Sequence, residues 1–342
     1  MTGKEKLKMI LDGGIPDSPP HWELVFQIEK EMFGVDLDAV PKADRMAAQI
    51  DVYHRLVDEF GWAAVPGSYE PAELKQIKEA LGHKALVPAY ESSGVFSMPT
   101  GETMMDLAVR LYEDRQGLHA EARRRCDGAK QHCRHAVEVG ADFFVLAYDF
   151  GYNEGPFVSP EHFADLVTPY LTELVQTIHD LRKKVILHSD GCITKILGQI
   201  HDTGLDGYQS IDPQGHMDIR KVREQYPDWI LMGNVACNML QDTNGENIRE
   251  SVRYCMTYGG VGKRYIFSTS NCIFKGMPPE SYRIMVDEYN RILTETEQYV
   301  ARTSLLHVVE PSHPSACSAC RPGRLDPALG EDAPQSPWGV ST

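Results

Sequence analysis

The sequence predicts a single (β/α)8 barrel. Eight short apolar runs recur along its 342 residues, near positions 24, 63, 95, 145, 186, 208, 231 and 266. The last five are spaced as strand-plus-helix units are. Several end on polar residues just ahead of a helical pattern, where parallel α/β proteins place their chemistry. A doubly wound open sheet is the rival, but no G-x-G-x-x-G follows any of the runs, so a dinucleotide site has no support.

Taken in order, residues 1–20 form a polar segment, a short helix and a loop with Gly13-Gly14 and Pro19-Pro20. The first strand is expected over 22–26, with Glu23 inside it. Helical spacing over 46–60 stops at Gly61. A second strand covers 62–65, a short helix 71–81, and a weak third strand 94–97 around Phe96. Two charged helices follow, over 104–114 and 118–139. The apolar run 143–147 then ends at Tyr148-Asp149, and a loop over 150–158 carries Tyr152. Ser159 caps the next helix, Pro160 suits its first position, and Pro169 should kink it. That helix leads into Val185-Ile186-Leu187, a strand that runs directly into His188, Asp190, Gly191 and Cys192. Further strands end near Tyr208, Asn234 and Asn271-Cys272. Helices are expected over 193–202, 218–226 and 246–258, and a long one after Pro278-Pro279. The domain is expected to span 21–302. Residues 303–342 read as a flexible tail rich in Pro, Ser and Gly. Its Cys317-x-x-Cys320 pair, without a second pair, reads as two exposed thiols rather than a zinc site.

Charge narrows the function. Forty-nine acidic residues against 34 basic ones give −15, which disfavours nucleic acid and anionic membranes. The first 20 residues lack the apolar core of a signal peptide, and no run is long enough to span a bilayer, so a cytoplasmic protein is expected. The eight cysteines are scattered, as thiols or ligands rather than a disulfide framework. No nucleophile elbow, H-E-x-x-H or P-loop is present.

In the barrel reading, strand-end residues converge on one mouth holding Glu23, Asp149, His188, Asp190, Tyr208, Asp212, Asn234 and Cys272. Each has a bland alternative: a satisfied core histidine, an inert buried thiol, an Asp capping a helix or closing a turn. Their coincidence favours a metal centre, because catalytic zinc takes three N, S or O ligands with one position open. His188, Cys272 and one carboxylate meet that requirement.

Several ordered segments make the chain resemble the uroporphyrinogen decarboxylase superfamily, and within it the corrinoid-dependent methyltransferases. They are the stretch from Asp149 through Ser159-Pro160-Glu161-His162-Phe163 to Pro169-Tyr170, Val185 to Gly191, Leu231-Met232-Gly233-Asn234, Gly259-Gly260, and Ser270-Asn271-Cys272 with Pro278-Pro279-Glu280-Ser281-Tyr282. The resemblance runs from about Trp22 to Tyr299. It implies a uroporphyrinogen decarboxylase-like barrel. True decarboxylases carry an arginine-rich stretch near the N-terminus that grips a polycarboxylate tetrapyrrole, and residues 20–40 here hold no arginine.

The resemblance therefore favours methyl transfer between a small methoxy or methylated substrate and the corrinoid (cobalamin) of a partner protein, in the substrate-demethylating role. In the zinc-dependent thiol branch the ligands are a His, a Cys two residues later and a distant Cys. His188 and Cys272 match, while position 190 is Asp, a harder ligand that suits polarising an oxygen. The resemblance thus implies zinc on His188, Cys272 and Asp190, with Asp149 and Asp190 as catalytic carboxylates. By position, Glu23, Phe96, Tyr152, Tyr208, Asn234 and Asn271 would line the substrate site. Porphyrinogen decarboxylation, and a non-catalytic barrel that binds a corrinoid or tetrapyrrole, are the alternatives.

Overall fold

A computed structural model describes residues 1–307 apart from Asp242 and Val261. Helix α1 (Gly3–Leu11) opens the chain behind a capping box: Glu5 N donates to Thr2 Oγ1 (3.3 Å) and Thr2 N to Glu5 Oε2 (2.8 Å). Helices α2 (Glu29–Phe33), α3 (Arg45–Phe60) and α4 (Pro71–Leu81) precede strand β1 (Ala89–Glu91). Helix α3 stops at Gly61, whose φ of 65° gives the left-handed cap expected of it. Helices α5 (Glu102–Glu113) and α6 (Arg115–Glu138) lead to β2 (Phe144–Ala147). A small hairpin of β3 (Gly151–Tyr152) and β4 (Gly155–Pro156) follows.

The long periodic segment after Ser159 divides, as Pro169 requires, into α7 (Pro160–Leu166) and α8 (Thr168–Asp180). Ser159 Oγ accepts from His162 N at 3.2 Å, the expected cap. The remaining elements alternate: β5 (Val185–Ser189), α9 (Leu197–Asp202), β6 (Gly207–Ser210), α10 (Ile219–Gln225), β7 (Ile230–Gly233), α11 (Gly245–Cys255), β8 (Tyr265–Ile266) and α12 (Pro279–His307). Asp218 caps α10 as expected, accepting from Arg220 N at 2.9 Å. Helix α12 runs five residues past position 302. Residues 308–342, with Cys317 and Cys320, lie outside the described part.

Six strands form one parallel sheet in the order β1-β2-β5-β6-β7-β8. Two further segments, residues 20–26 and 62–68, close it into a ring. Trp22 N donates to Phe267 O and Phe267 N to Pro20 O; Ala63 N donates to His21 O, and Leu86 N to Ala63 O. Backbone hydrogen bonds therefore pass around all eight segments of a (β/α)8 barrel. Val185, Ile186 and Leu187 are wholly buried on both sides, between the barrel interior and the helices.

One strand lies elsewhere than expected. The third strand is β1, not 94–97. Leu86 N and Tyr90 N both donate toward the second segment, and Pro88 stands between them where a donor would face the same way. Gly67 lies opposite; a Cβ on it would sit 2.0 Å from Pro88 O, so the two chains pass closely without a side chain between. Phe96 instead packs under α6, with the Arg125 guanidinium 4.8 Å from its ring centre. Helix α9 is also shorter than the expected 193–202. Among the described residues, no helix is long and apolar enough to cross a membrane.

Candidate metal centre

Register brings the site together. Ala147 pairs with His188, His188 with Gln209, and Ser189 with Ser210, so the ends of β2, β5 and β6 stand level. Asp149 lies two residues past β2 and Asp190 one past β5. Their carboxylates flank the imidazole: His188 Nε2 is 3.7 Å from Asp149 Oδ1 and 4.0 Å from Asp190 Oδ2. One donor atom from each of Asp149, His188 and Asp190 falls within 4.8 Å of the others. The His188 Nδ1 edge is hydrogen-bonded to Gln209 Oε1.

Asp190 is held on every side. Its backbone N donates to Asp149 Oδ1 (3.0 Å), Ser210 Oγ donates to its Oδ1 (2.6 Å), and Asn271 Nδ2 donates to its Oδ2. Burial pushes its carboxyl up to about 6, against the pull of His188 and Ser210, with Asp149 and Asp212 adding to the rise. Ser210 reaches it because the chain leaves β6 with φ of 91° at Ser210 and 51° at Ile211, a left-handed turn rare for such residues. Gly191, at φ 74°, is required next to it: a Cβ there would meet Gly151 O at 2.1 Å.

A cleft of about 580 Å³ opens above the cluster. Asp149, Glu154, Asp190 and Asp212 line it, with Met98, Tyr152, Cys237, Asn271 and Phe274 among the walls and, among the described residues, no lysine or arginine. Among the described residues, no lysine or arginine forms an ion pair with Asp149, Asp190 or Asp212 either. Two carboxylates beside one imidazole, with Asp212 near Asp190 and, among the described residues, no cationic side chain paired with them, are a donor set for a divalent cation.

The residues expected at the mouth divide. Tyr152 and Asn271 line the cleft. Glu23, Tyr208 and Asn234 are fully buried and do not line it. Glu23 instead accepts from Ser268 Oγ (2.9 Å), Thr269 N (3.0 Å) and Thr269 Oγ1 (2.7 Å), clasping the first barrel segment to the last. Tyr208 donates to Ser189 O, and Asn234 Nδ2 to Ile211 O. Phe96 lies beneath α6. Cys272, half-buried, is outside the three-residue cluster. Burial drives its thiol far above the usual range, and Cys237 Sγ donates to its backbone O at 3.5 Å.

Sequence reasoning did not single out Gln209, Ser210 or Glu154. The first two are ordinary strand residues whose importance comes only from register. The polar end of β6 was the one signal that could have marked them.

A uroporphyrinogen decarboxylase (URO-D) family profile matches residues 95–292. No curated protein matches the sequence. Among solved structures, the chain is similar to a methyltransferase from Methanosarcina mazei. The two share 15% identity at a TM-score of 0.69, over 85% of this chain and 99% of that one. A sugar phosphate isomerase/epimerase from Parabacteroides distasonis shares 9% identity at a TM-score of 0.46, over 82% of this chain and 98% of that one. With the profile spanning β2 through β8 and every residue of the acidic cluster, this chain belongs to the uroporphyrinogen decarboxylase family.

Proposed function

We propose that the protein is a metal-dependent methyltransferase that moves a methyl group between a small methoxy or methylated compound and the corrinoid of a partner protein, acting as the demethylating component. The observation that carries this reading is the Asp149–His188–Asp190 cluster on the floor of an acidic cleft. The likeness to a methyltransferase structure supports it.

His188 and Asp190 would hold the ion, zinc by their N and O chemistry. Of the two candidates for third ligand, Asp149 is already within reach, whereas Cys272 would first have to ionise a buried thiol. When bound there, the metal supplies a Lewis acid for the substrate oxygen. Asn271 and Ser210 keep Asp190 aimed at that place. Tyr152, Met98 and Phe274 offer an apolar wall to a methoxy compound and exclude water from it.

The cleft lining argues against the family's named decarboxylation. Among the described residues, four carboxylates and no lysine or arginine line it, so a substrate carrying several carboxylates meets repulsion in place of the clamps it needs.

The test is metal analysis combined with methyl transfer from a panel of methoxy compounds and methanol to free cob(I)alamin. The purified protein is expected to hold about one zinc per chain. His188→Ala should lose the metal and lower transfer by roughly 10²-fold or more. Asp149→Asn should lose more metal than Cys272→Ser. A metal-free wild type, or a His188→Ala variant with undiminished transfer, would overturn the reading. Coproporphyrinogen formed from uroporphyrinogen would replace it with decarboxylation.

A further inference from the structure

We infer that Gln209 is the positioning residue that selects the His188 tautomer and turns its Nε2 lone pair toward the acidic cluster. This rests on the metal-dependent reading for its consequence, but its first step concerns the protein alone.

An imidazole beside a primary amide leaves an ambiguity, because either nitrogen can carry the proton and the amide can face either way. Here the second contact of the amide removes it. Gln209 is wholly buried in β6, directly across from His188 in β5. Its Nε2 donates to Thr269 O at 3.3 Å. A backbone carbonyl can only accept, so the NH₂ end must face Thr269 and the carbonyl end must face His188. Gln209 Oε1 then needs a donor, and Nδ1–H is the group placed to supply it. With the proton on Nδ1, Nε2 is left as a lone pair, and Nε2 is the atom that lies 3.7 Å from Asp149 and 4.0 Å from Asp190.

The carbonyl that fixes Gln209 is itself fixed. Thr269 N and Oγ1 both donate to buried Glu23. A chain of hydrogen bonds therefore runs from Glu23 in the first barrel segment, through Thr269 and Gln209, to His188 in β5. It passes beneath the cleft and crosses from one side of the barrel to the other. Oriented in this way, His188 presents a neutral nitrogen donor to a cation without a rearrangement of the ring, which is what a partner on the far nitrogen of a metal-ligating histidine does. Neither Gln209 nor Thr269 lines the cleft, so neither touches substrate.

The experiment uses the full chain with ¹⁵N-labelled histidine. Long-range proton–nitrogen spectra of the metal-free protein at pH 8 report the tautomer of each ring, and His188 is assigned by its absence from His188→Gln. Wild type should show the Nδ1–H form with that proton shifted downfield by its hydrogen bond. Gln209→Met, of similar volume and without the acceptor, should show a mixture of tautomers. Zinc affinity, measured by competition with a chelator, should fall about 10- to 100-fold in Gln209→Met, with circular dichroism unchanged. Gln209→Glu keeps an acceptor for Nδ1–H and should hold the tautomer even as it loses the Thr269 bond.

An Nε2–H tautomer in wild type, or an unaltered His188 spectrum in Gln209→Met, overturns the inference. If Gln209→Met does not fold, the wild-type and Gln209→Glu spectra still decide it. Failure to bind zinc in any variant would count against the proposed function, while the tautomer result would stand by itself.

Discussion

Burying Asp190 between Asp149 and Asp212 works against the fold while serving the site. An acid held at about 6 instead of near 3.8 is destabilising wherever it must be charged in the native state. The penalty is fully present above pH 6 and absent below the unfolded value. It is about 3 kcal/mol. Asp190→Asn is therefore expected to raise the urea midpoint of the metal-free protein at pH 8, with the gain disappearing below about pH 4, and to abolish metal binding. Equal midpoints at pH 8 would show that Ser210 and Asn271 already compensate the charge. This trade is common where a site needs an uncompensated group. His188, Asp190 and Gly191 could be recognised in the sequence because they follow an apolar run directly. Gln209 could not, because its contact is made across strands, 21 positions from its partner.

At the scale of elements, the pairing of α6 with α8 shows how the surface supports the barrel. Arg123 reaches Glu173 through two nitrogens, at 2.6 and 2.7 Å, and Lys130 adds a third contact at 3.1 Å. Beneath them, Leu118, Ala122, Cys126 and Ala129 on α6 are buried, as are Leu171, Leu174 and Val175 on α8. Hydrogen bonds from Arg123 hold the Glu173 carboxyl down to about 2. A depressed acid stabilises the fold above its unfolded value, near 4.5, and that contribution is lost as pH falls through about 2. Both side chains are more than a third exposed, so solvent screening reduces the worth to about 0.5–1 kcal/mol. Glu173→Gln should lose that much at pH 7 and nothing below pH 2. Urea titrations at the two pH values check it, and a deficit that persisted at low pH would mean the effect is not electrostatic. The helices and their caps were legible from spacing, because a helix makes its own hydrogen bonds and shows its buried face as a local period. The third strand was not, because a strand is made by its neighbours, and the second segment can approach Pro88 this closely only with glycine at position 67.

For the whole molecule, closing the ring depends on a carboxylate that the sequence marked for another job. Glu23 was expected at the mouth. It lies in the interior, receiving three donors at 3.0 Å or less from Ser268 and Thr269. It thereby joins residues 20–26 to the last strand, where the short β8 provides little ladder of its own. Glu23→Leu would leave those donors buried without an acceptor. A loss of about 3–5 kcal/mol is expected, read as a lower urea midpoint with the metal absent. A variant as stable as wild type would show that closure does not rest on this contact.

By itself the sequence determined the alternation of strands and helices over the second half of the chain, the caps or breaks of several helices, and the strand that delivers His188 and Asp190 to the mouth. These are local properties, written in periodicity and in Pro, Gly and Ser placed at particular points. Only the tertiary structure decided which polar residues share the cleft. It brought Asp149 up to His188 and Asp190, set Gln209 and Ser210 behind them, and placed Glu23, Tyr208, Asn234 and Phe96 away from the cleft lining. The reason is physical: side chains alternate across a strand, so a shift of one position in register, or one left-handed turn such as that at Ser210 and Ile211, determines whether a polar group meets the cleft or the core.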